Sequence, residues 1–322
     1  MATVSVIVPT FNRRARLERV LAALGTQTFP LDQLEVIVVS DGSTDGSVEW
    51  LSTQSFPFAF EVVEQANAGP AAARNNGVAH SSAPLILFID DDVVAEPGLV
   101  AAHCQAHDRH GDHAIVIGPM LTPDEEPLLP WVRWEQTMLY KQYRDMTQGR
   151  WHPTARQFYT GNASLPRRAF DDVRGFDTSF RRAEDVELAY RLADRGYHFE
   201  FEPEARARHY AERSFQSWLS IASAYGHNDA IMGRDRGQDW LLDATSREFH
   251  NANPLTRITV RATIDRPRST RAAHVMFTTA SNLAEHLRLR PVSRYALSGL
   301  YNLIYYHAFI DELGSADLLL RR

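Results

Sequence analysis

The sequence predicts an α/β fold: a Rossmann-like, mostly parallel sheet flanked by helices, followed by a helical C-terminal extension. Three observations carry that reading. Short, β-branched apolar runs alternate with amphipathic stretches through the first 120 residues, the pattern of a parallel sheet with helices on both faces. Polar and acidic residues stand immediately after several of those runs. Beyond Ser214 the spacing of apolar residues is helical.

The elements follow in order. Residues 4–8 (VSVIV) form a continuous apolar run, as a buried parallel strand requires. Residues 14–24 place Leu17, Val20, Leu21 and Leu24 at helical spacing. Strands are expected at 34–39 and 58–63, a helix at 71–80, and a fourth strand at 85–89 (LILFI). A helix over 98–109 and a strand at 114–117 complete the first half. From 124 to 152 the pattern degrades into a stretch rich in Trp, Tyr and Pro, read as a loop before a helix over 131–143. Order returns at 157–165. A helix over 185–195 is ended by Gly196, and 197–201 reads as a strand. Phe215, Trp218, Leu219, Ala222 and Tyr225 then share a helix face, whereas residues 240–271 are polar and resist assignment.

With 44% apolar and 23% charged residues, the 322-residue chain has the composition of a globular protein. A net charge of -6 offers no basic footprint, which argues against nucleic acid as a partner. Cys104 is the sole cysteine, so an internal disulfide is ruled out and a reducing compartment fits. The first residues lack the basic, apolar character of a secretory leader, and no run reaches the length of a bilayer-spanning helix. Residues 297–310, the longest candidate, are interrupted by Ser298, Gly299, Asn302 and His307 and read as a packed helix, with a membrane-surface role as the alternative. The expected location is cytoplasmic, with peripheral contact at the inner face of the membrane as its variant.

In an open parallel sheet, ligands bind beyond the carboxyl ends of the strands. Thr10 and Asn12 follow the first strand, Asp41 the second, and Asp90, Asp91 and Asp92 the fourth, so distant residues should meet along one edge. Three adjacent carboxylates repel one another, and burial would raise their pKa values. A divalent cation, Mg2+ or Mn2+, resolves that conflict through one or two carboxylates and substrate phosphates. A solvated turn with Asp as a helix cap is the competing reading. Asp41 opens a DGSTD turn that either caps a helix or offers its carboxylate to a uracil imide or a ribose. GPAAARN is a Gly turn leading into a helix, whose first amides and Arg74 can approach a diphosphate.

Glu184 and Asp185 either complement the dipole of the helix they open or supply a general base. Asp185 and Glu187, two apart, cannot share a helix face, so one can meet the site while the other makes structural contacts. His209 offers a nitrogen ligand to the same metal. His103 and His107 have a spacing that suits zinc, but no cysteine pair or acidic partner is in register. With His110 and His113 they are expected on a solvated face. Trp131, Trp134, Tyr140 and Tyr143 either stack on a sugar or serve packing or dimerisation.

VSVIVPTFNR, IVVSDGSTDGS, NAGPAAARNNGV, LILFIDDDV, GNASLPRRAFDDVRGFDTSF and RRAEDVELAYRLADRGY occur in that order. In these segments the chain resembles family-2 glycosyltransferases of the GT-A fold, inverting and non-processive. The likeness covers residues 3–214 and includes the opening strand and nucleotide turn, the DXD motif, the acceptor-side loop and the ED base motif. It implies a catalytic domain over 1–213, with a nucleotide-sugar-binding half at 1–120 and an acceptor half at 121–213, and a helical extension over 214–322. It implies that Pro9, Thr10, Asn12 and Asp41 line a nucleoside pocket, with Arg74, Asp90 and Asp91 also on the nucleotide sugar. Asp92 and His209 would hold Mg2+ or Mn2+, and Asp185 would be the base. The QxxRW motif and membrane helices of processive synthases are absent, and residues from Phe215 onward match nothing in the family pattern.

The implied reaction moves a sugar from a nucleotide-diphosphate donor, a UDP-sugar foremost, to a hydroxyl of a glycan, lipid-linked or small-molecule acceptor. By analogy with glycoside hydrolysis the sugar becomes oxocarbenium-like as the diphosphate leaves. Rival readings are a sugar-phosphate nucleotidyltransferase, which would open with a Gly-rich loop and a Lys, and a catalytically silent nucleotide-sugar-binding or scaffold protein. A Rossmann dehydrogenase would need the G-x-G-x-x-G signature, which is missing. The C-terminal helices would serve a homodimer, a peripheral membrane contact or the catalytic domain itself.

Overall fold

The computed structural model describes residues 2–123, 128–180, 182–211 and 213–320. The first residues of the degraded 124–152 stretch and Arg181 of the RRAED segment lie outside them. Two compact units emerge, Met1–Glu126 with Leu139–Ala211, and Pro127–Met138 with Glu212–Arg322.

The first unit is the α/β core. In chain order it contains β1 (Val4–Thr10), α1 (Arg14–Leu24), β2 (Leu34–Asp41), α2 (Ser47–Leu51), β3 (Ala59–Gln65), α3 (Pro70–His80), β4 (Leu85–Ile89) and β5 (Val93–Ala95). Next come α4 (Leu99–His110), β6 (Ala114–Ile117), β7 (Met120–Leu121), α5 (Pro130–Thr147), β8 (Asn162–Pro166), α6 (Arg167–Asp172), α7 (Glu184–Asp194), β9 (His198–Phe201) and β10 (Ala207–His209). The boundary between the units falls within α5.

Seven strands form the main sheet in the order β3-β2-β1-β4-β8-β6-β9. They run parallel except β8, which is antiparallel to β4 on one side and β6 on the other. Most of β1, β2 and β4 is buried, and α1 packs Leu17, Val20, Leu21 and Leu24 against it as its periodicity predicts. α3 lies close against β1: a Cβ at Gly77 would meet Ile7 Cγ2 at 2.5 Å. A small second sheet, β5-β10-β7, joins residues far apart in sequence.

One expectation needs correction here. His103 and His107 do not occupy a solvated face. His103 is fully buried, with Nε2 against Asn162 Oδ1 at 2.9 Å and Nδ1 accepting from Ser164 Oγ at 2.8 Å. His107 Nε2 lies 2.8 Å from Ser164 Oγ. Burial pushes both imidazoles down to about 4, so they are neutral struts between α4 and β8. His110 and His113 are exposed. Residues 240–271, which resist assignment from the sequence, are largely helical.

That helical second unit contains α8 (Phe215–Asp235), α9 (Trp240–Asn251), α10 (Pro254–Thr263), α11 (Pro267–His286), α12 (Arg290–Leu313) and α13 (Asp317–Leu320). Ser214 caps α8 by accepting from Ser217 N at 3.1 Å. Buried Thr245, Thr256 and Thr263 hide the core faces of α9 and α10 from a hydropathy reading. Thr263 is satisfied by the Thr259 carbonyl at 2.8 Å. α8 and α12 touch backbone to backbone at Gly226, where a Cβ would stand 2.2 Å from the Tyr305 carbonyl oxygen. Residues 297–310 are the packed helix their pattern predicts, with Leu300, Leu303 and Phe309 in the core. Trp134 belongs to this packing, lying against Trp218 and Tyr301 and donating to Ser298 Oγ at 2.7 Å. Among the described residues, no helix is long and apolar enough to cross a membrane.

Candidate active site

The sequence puts polar residues at the ends of β1, β2 and β4, and the fold brings those ends to one edge. At the end of β1, Thr10 Oγ1 donates to Asp91 Oδ2 at 2.9 Å. Arg13 NH1 lies 2.8 Å from Asp91 and 3.1 Å from Asp92, and Arg16 NH1 is 3.6 Å from Asp92. The small sheet supplies the next member. Its β5–β10 pairing sets His209 opposite Val93, leaving His209 Nε2 3.4 Å from Asp92 Oδ1.

These contacts decide the charge states. Burial acts to raise the Asp92 carboxyl, but the His209 hydrogen bond and charge, with Arg13 and Arg16, hold it below the usual carboxylate range. For Asp91 burial dominates, and its carboxyl is raised despite Arg13 and Thr10. The acidic triplet is therefore compensated by this chain's own cations. Arg13 and Arg16, beside any divalent ion, relieve the repulsion that the sequence pattern implies, and neither stood among the residues read as site candidates. Their signal was available: two arginines three apart at the start of the helix directly behind the first strand.

Arg74 ties two motifs together. Its NH2 lies 2.7 Å from Asp90 Oδ1 and its NH1 2.9 Å from Glu184 Oε1, with its side chain 5% exposed. The guanidinium also sits 5.7 Å from the centre of the Phe176 ring. Neighbouring Asn75 locks the same stretch, donating to the Phe176 carbonyl and accepting from its amide. Arg74 is thus directed at two carboxylates, not laid open toward a diphosphate as the Gly turn suggested. Asp185, beside this pair at the start of α7, has its carboxyl pushed up to about 7, first by burial and then by the Glu184 charge. Glu187 makes the structural contact, 2.7 Å from Arg191 Nε.

Asp41 and Asn12 form a neighbouring network. The Asp41 carboxylate accepts from Gln65 Nε2 at 2.8 Å, Ala68 N at 2.8 Å and Gly69 N at 2.9 Å, which fixes the turn into α3. Asn12, with φ of 53°, accepts from Thr44 N at 2.7 Å and donates its own amide N–H to Ser43 Oγ at 3.1 Å. Pro9 pairs in register with Val39. Direct contacts therefore group Thr10, Asp91, Asp92 and His209, then Arg74, Asp90 and Glu184, while Asp41 and Asn12 bond into the loops after β2 and β3. No described group of three His, Cys, Asp or Glu side chains forms a ready-made metal cage.

Residues 5–174 match the family model described as Glycosyl transferase family 2. Validoxylamine A glucosyltransferase of Streptomyces hygroscopicus subsp. jinggangensis is 35% identical over 217 residues, 60% of this chain and 51% of that protein. The pre-mycofactocin glycosyltransferase of Mycobacterium tuberculosis is 28% identical over 238 residues, 70% of this chain and 47% of that protein. The chain thus spans about half the length of these curated relatives. Among solved structures, the mannosyltransferase PcManGT from Pyrobaculum calidifontis, in complex with GDP-Man and Mn2+, gives a TM-score of 0.67 at 20% identity over 95% of this chain and 86% of that one. S. aureus TarS 1-349 in complex with UDP-GlcNAc gives 0.58 at 16% identity over 97% and 92%. At such identities the likeness is one of fold. With more than half its length matched and its sheet ending in these paired carboxylates, the chain belongs to glycosyl transferase family 2 and has the GT-A fold.

Proposed function

We propose that this protein is an inverting glycosyltransferase that moves a sugar from a nucleoside-diphosphate donor, a UDP-sugar first, to an acceptor hydroxyl in a single displacement. One observation carries the reading: Arg74 bridges Asp90 of the acidic triplet to Glu184, next to an Asp185 carboxyl lifted to about 7. A carboxylate with that affinity for protons is matched to abstraction of a hydroxyl proton near neutral pH. Asp185 would take the proton as the acceptor oxygen attacks the anomeric carbon from the face opposite the leaving group. A binding module has no use for such a group, which disfavours the silent reading.

Asp92 and His209 fit a divalent cation: one ionised oxygen donor and one nitrogen donor lie side by side, leaving substrate phosphates to complete the shell. Mg2+ or Mn2+ held there would offset the charge growing on the departing diphosphate. Arg13 and Arg16 add positive charge to the same spot. That one distant neighbour is bound to GDP-Man and Mn2+ and another to UDP-GlcNAc supports a nucleotide-sugar donor without choosing the base.

Asp185→Asn is the direct test. Transfer should fall by at least about two powers of ten while calorimetric binding of the nucleotide sugar persists. Undiminished turnover would reject Asp185 as the base. For Asp92→Ala, donor binding should cease to depend on Mn2+; an unaltered Mn2+ response removes Asp92 from the metal site.

A further inference from the structure

The second unit carries a surface unlike the remainder of the chain. Residues 254–295 hold eight arginines against two acids, Asp265 and Glu285, although acidic residues outnumber basic ones, 40 to 34, in the whole sequence. Glu285 is already engaged, 2.6 Å from Arg133. Within the same stretch Leu255, Ile258, Val275, Leu283, Leu287 and Tyr295 are each between 55% and 65% exposed. Single exposed apolar residues are ordinary, but six so exposed within some forty residues call for an occupant.

α11 shows how the group arises. Ala273, Phe277, Ser281 and Ala284 are buried on one side of the helix. Ala272, Val275, Met276, Leu283 and Leu287 lie on the other side, all exposed. A helix packed on one face normally turns a polar face to water. Here the outward face carries apolar side chains among Thr279, Asn282 and His286, with arginine at both ends: Arg268 and Arg271 before it, Arg288 and Arg290 after it. α10 adds Leu255 and Ile258, three apart, beside Arg261. At the start of α12, Val292 and Tyr295 continue the face, and Arg294 stacks 5.7 Å from the Tyr295 ring centre.

We propose that this face of α10, α11 and the first turns of α12 docks on an anionic lipid bilayer. The apolar side chains would enter the headgroup boundary while the arginines, on stems long enough to reach outward, meet lipid phosphates. Charge selects this occupant over a second copy of the chain. A two-fold contact would set the arginine clusters of both copies against each other with few acids to offset them. The surface also differs from residues 297–310, the apolar run singled out in the sequence, which is buried in the helical core. Nothing in the proposal depends on the catalytic assignment.

The test is cosedimentation of the 322-residue chain with lipid vesicles. It should pellet with vesicles of phosphatidylcholine mixed with phosphatidylglycerol, stay in solution with phosphatidylcholine alone, and be released by salt. A Val275→Glu/Leu283→Glu protein should lose about tenfold or more of its partitioning at an unchanged Tm. Arg268→Glu/Arg271→Glu, which leaves the apolar stripe intact, should lose a comparable share. Failure to pellet with any vesicle overturns the proposal, as does equal binding to neutral and anionic vesicles. So does a dimer in analytical ultracentrifugation that Val275→Glu/Leu283→Glu dissociates, because the face would then belong to a second copy.

Discussion

The two units treat charge in opposite ways. In the first, ionised groups are drawn inside and matched: Arg74, Asp91, Asp92 and Glu184 are each at most 8% exposed. In the second, the interior is aromatic, built on Trp218, Phe249 and Phe309, and the arginines of residues 254–295 are almost all outside. Its buried Asp229 accepts from the Tyr305 hydroxyl at 2.5 Å. Taking ions out of water costs several kcal/mol each unless they are paired. A protein accepts that cost where ions must meet a charged ligand, and packs hydrocarbon where stability alone is needed.

The sharpest way to break this contrast is a pair of truncations. Arg74→Met should destabilise the protein by about 3–5 kcal/mol, because Glu184 and Asp90 lose their counter-ion. Trp218→Ala should cost a similar ~3–5 kcal/mol through the cavity it leaves. Denaturant titration across pH separates them: the first loss should shrink on acidification and the second should not. Identical pH responses would mean the two interiors do not differ in kind.

A smaller effect sharpens the first unit alone. The folded protein raises the Asp185 carboxyl from 3.8 to about 7, so folding disfavours its ionised form and stability falls as pH rises through that interval. Asp185→Asn removes the penalty and should raise Tm above pH 7 by about 2–4 °C per kcal/mol recovered, even as it abolishes transfer. An unchanged Tm there would mean that the carboxyl is not held protonated by its surroundings. Glu184→Gln removes one source of that upward push, so the rise of transfer rate with pH should move to lower pH; an unmoved profile would dissociate Glu184 from the base. The smallest effect lies outside. Ile258→Gln, at a position 65% exposed, should change stability by no more than about 0.5 kcal/mol in a thermal scan.

What the sequence revealed follows the same division. Buried parallel strands announce themselves because both faces are largely apolar, so LILFI and VSVIV, the latter interrupted only by Ser5, are legible at once. The strand-end acids were legible too, since their place follows from the sheet. Their partners were not: Thr10 and Asp91 are 81 positions apart, and Arg74 and Glu184 are 110 apart. His103 looked like a surface residue because its partner Asn162 lies 59 positions on. α9 and α10 stayed hidden behind threonines that satisfy their hydroxyls within their own helices or against nearby groups.

Strand β8 has a consequence for anyone who would recombine this enzyme. It comes from the later part of the chain yet sits between β4 and β6, bonded to both. A cut near residue 120 would strip β4 of one of its two neighbours and leave a fresh hydrogen-bonding seam down the middle of the sheet. Chimeras with a relative should therefore graft loops at the strand ends, because front and back halves of this sheet are stitched into one fabric.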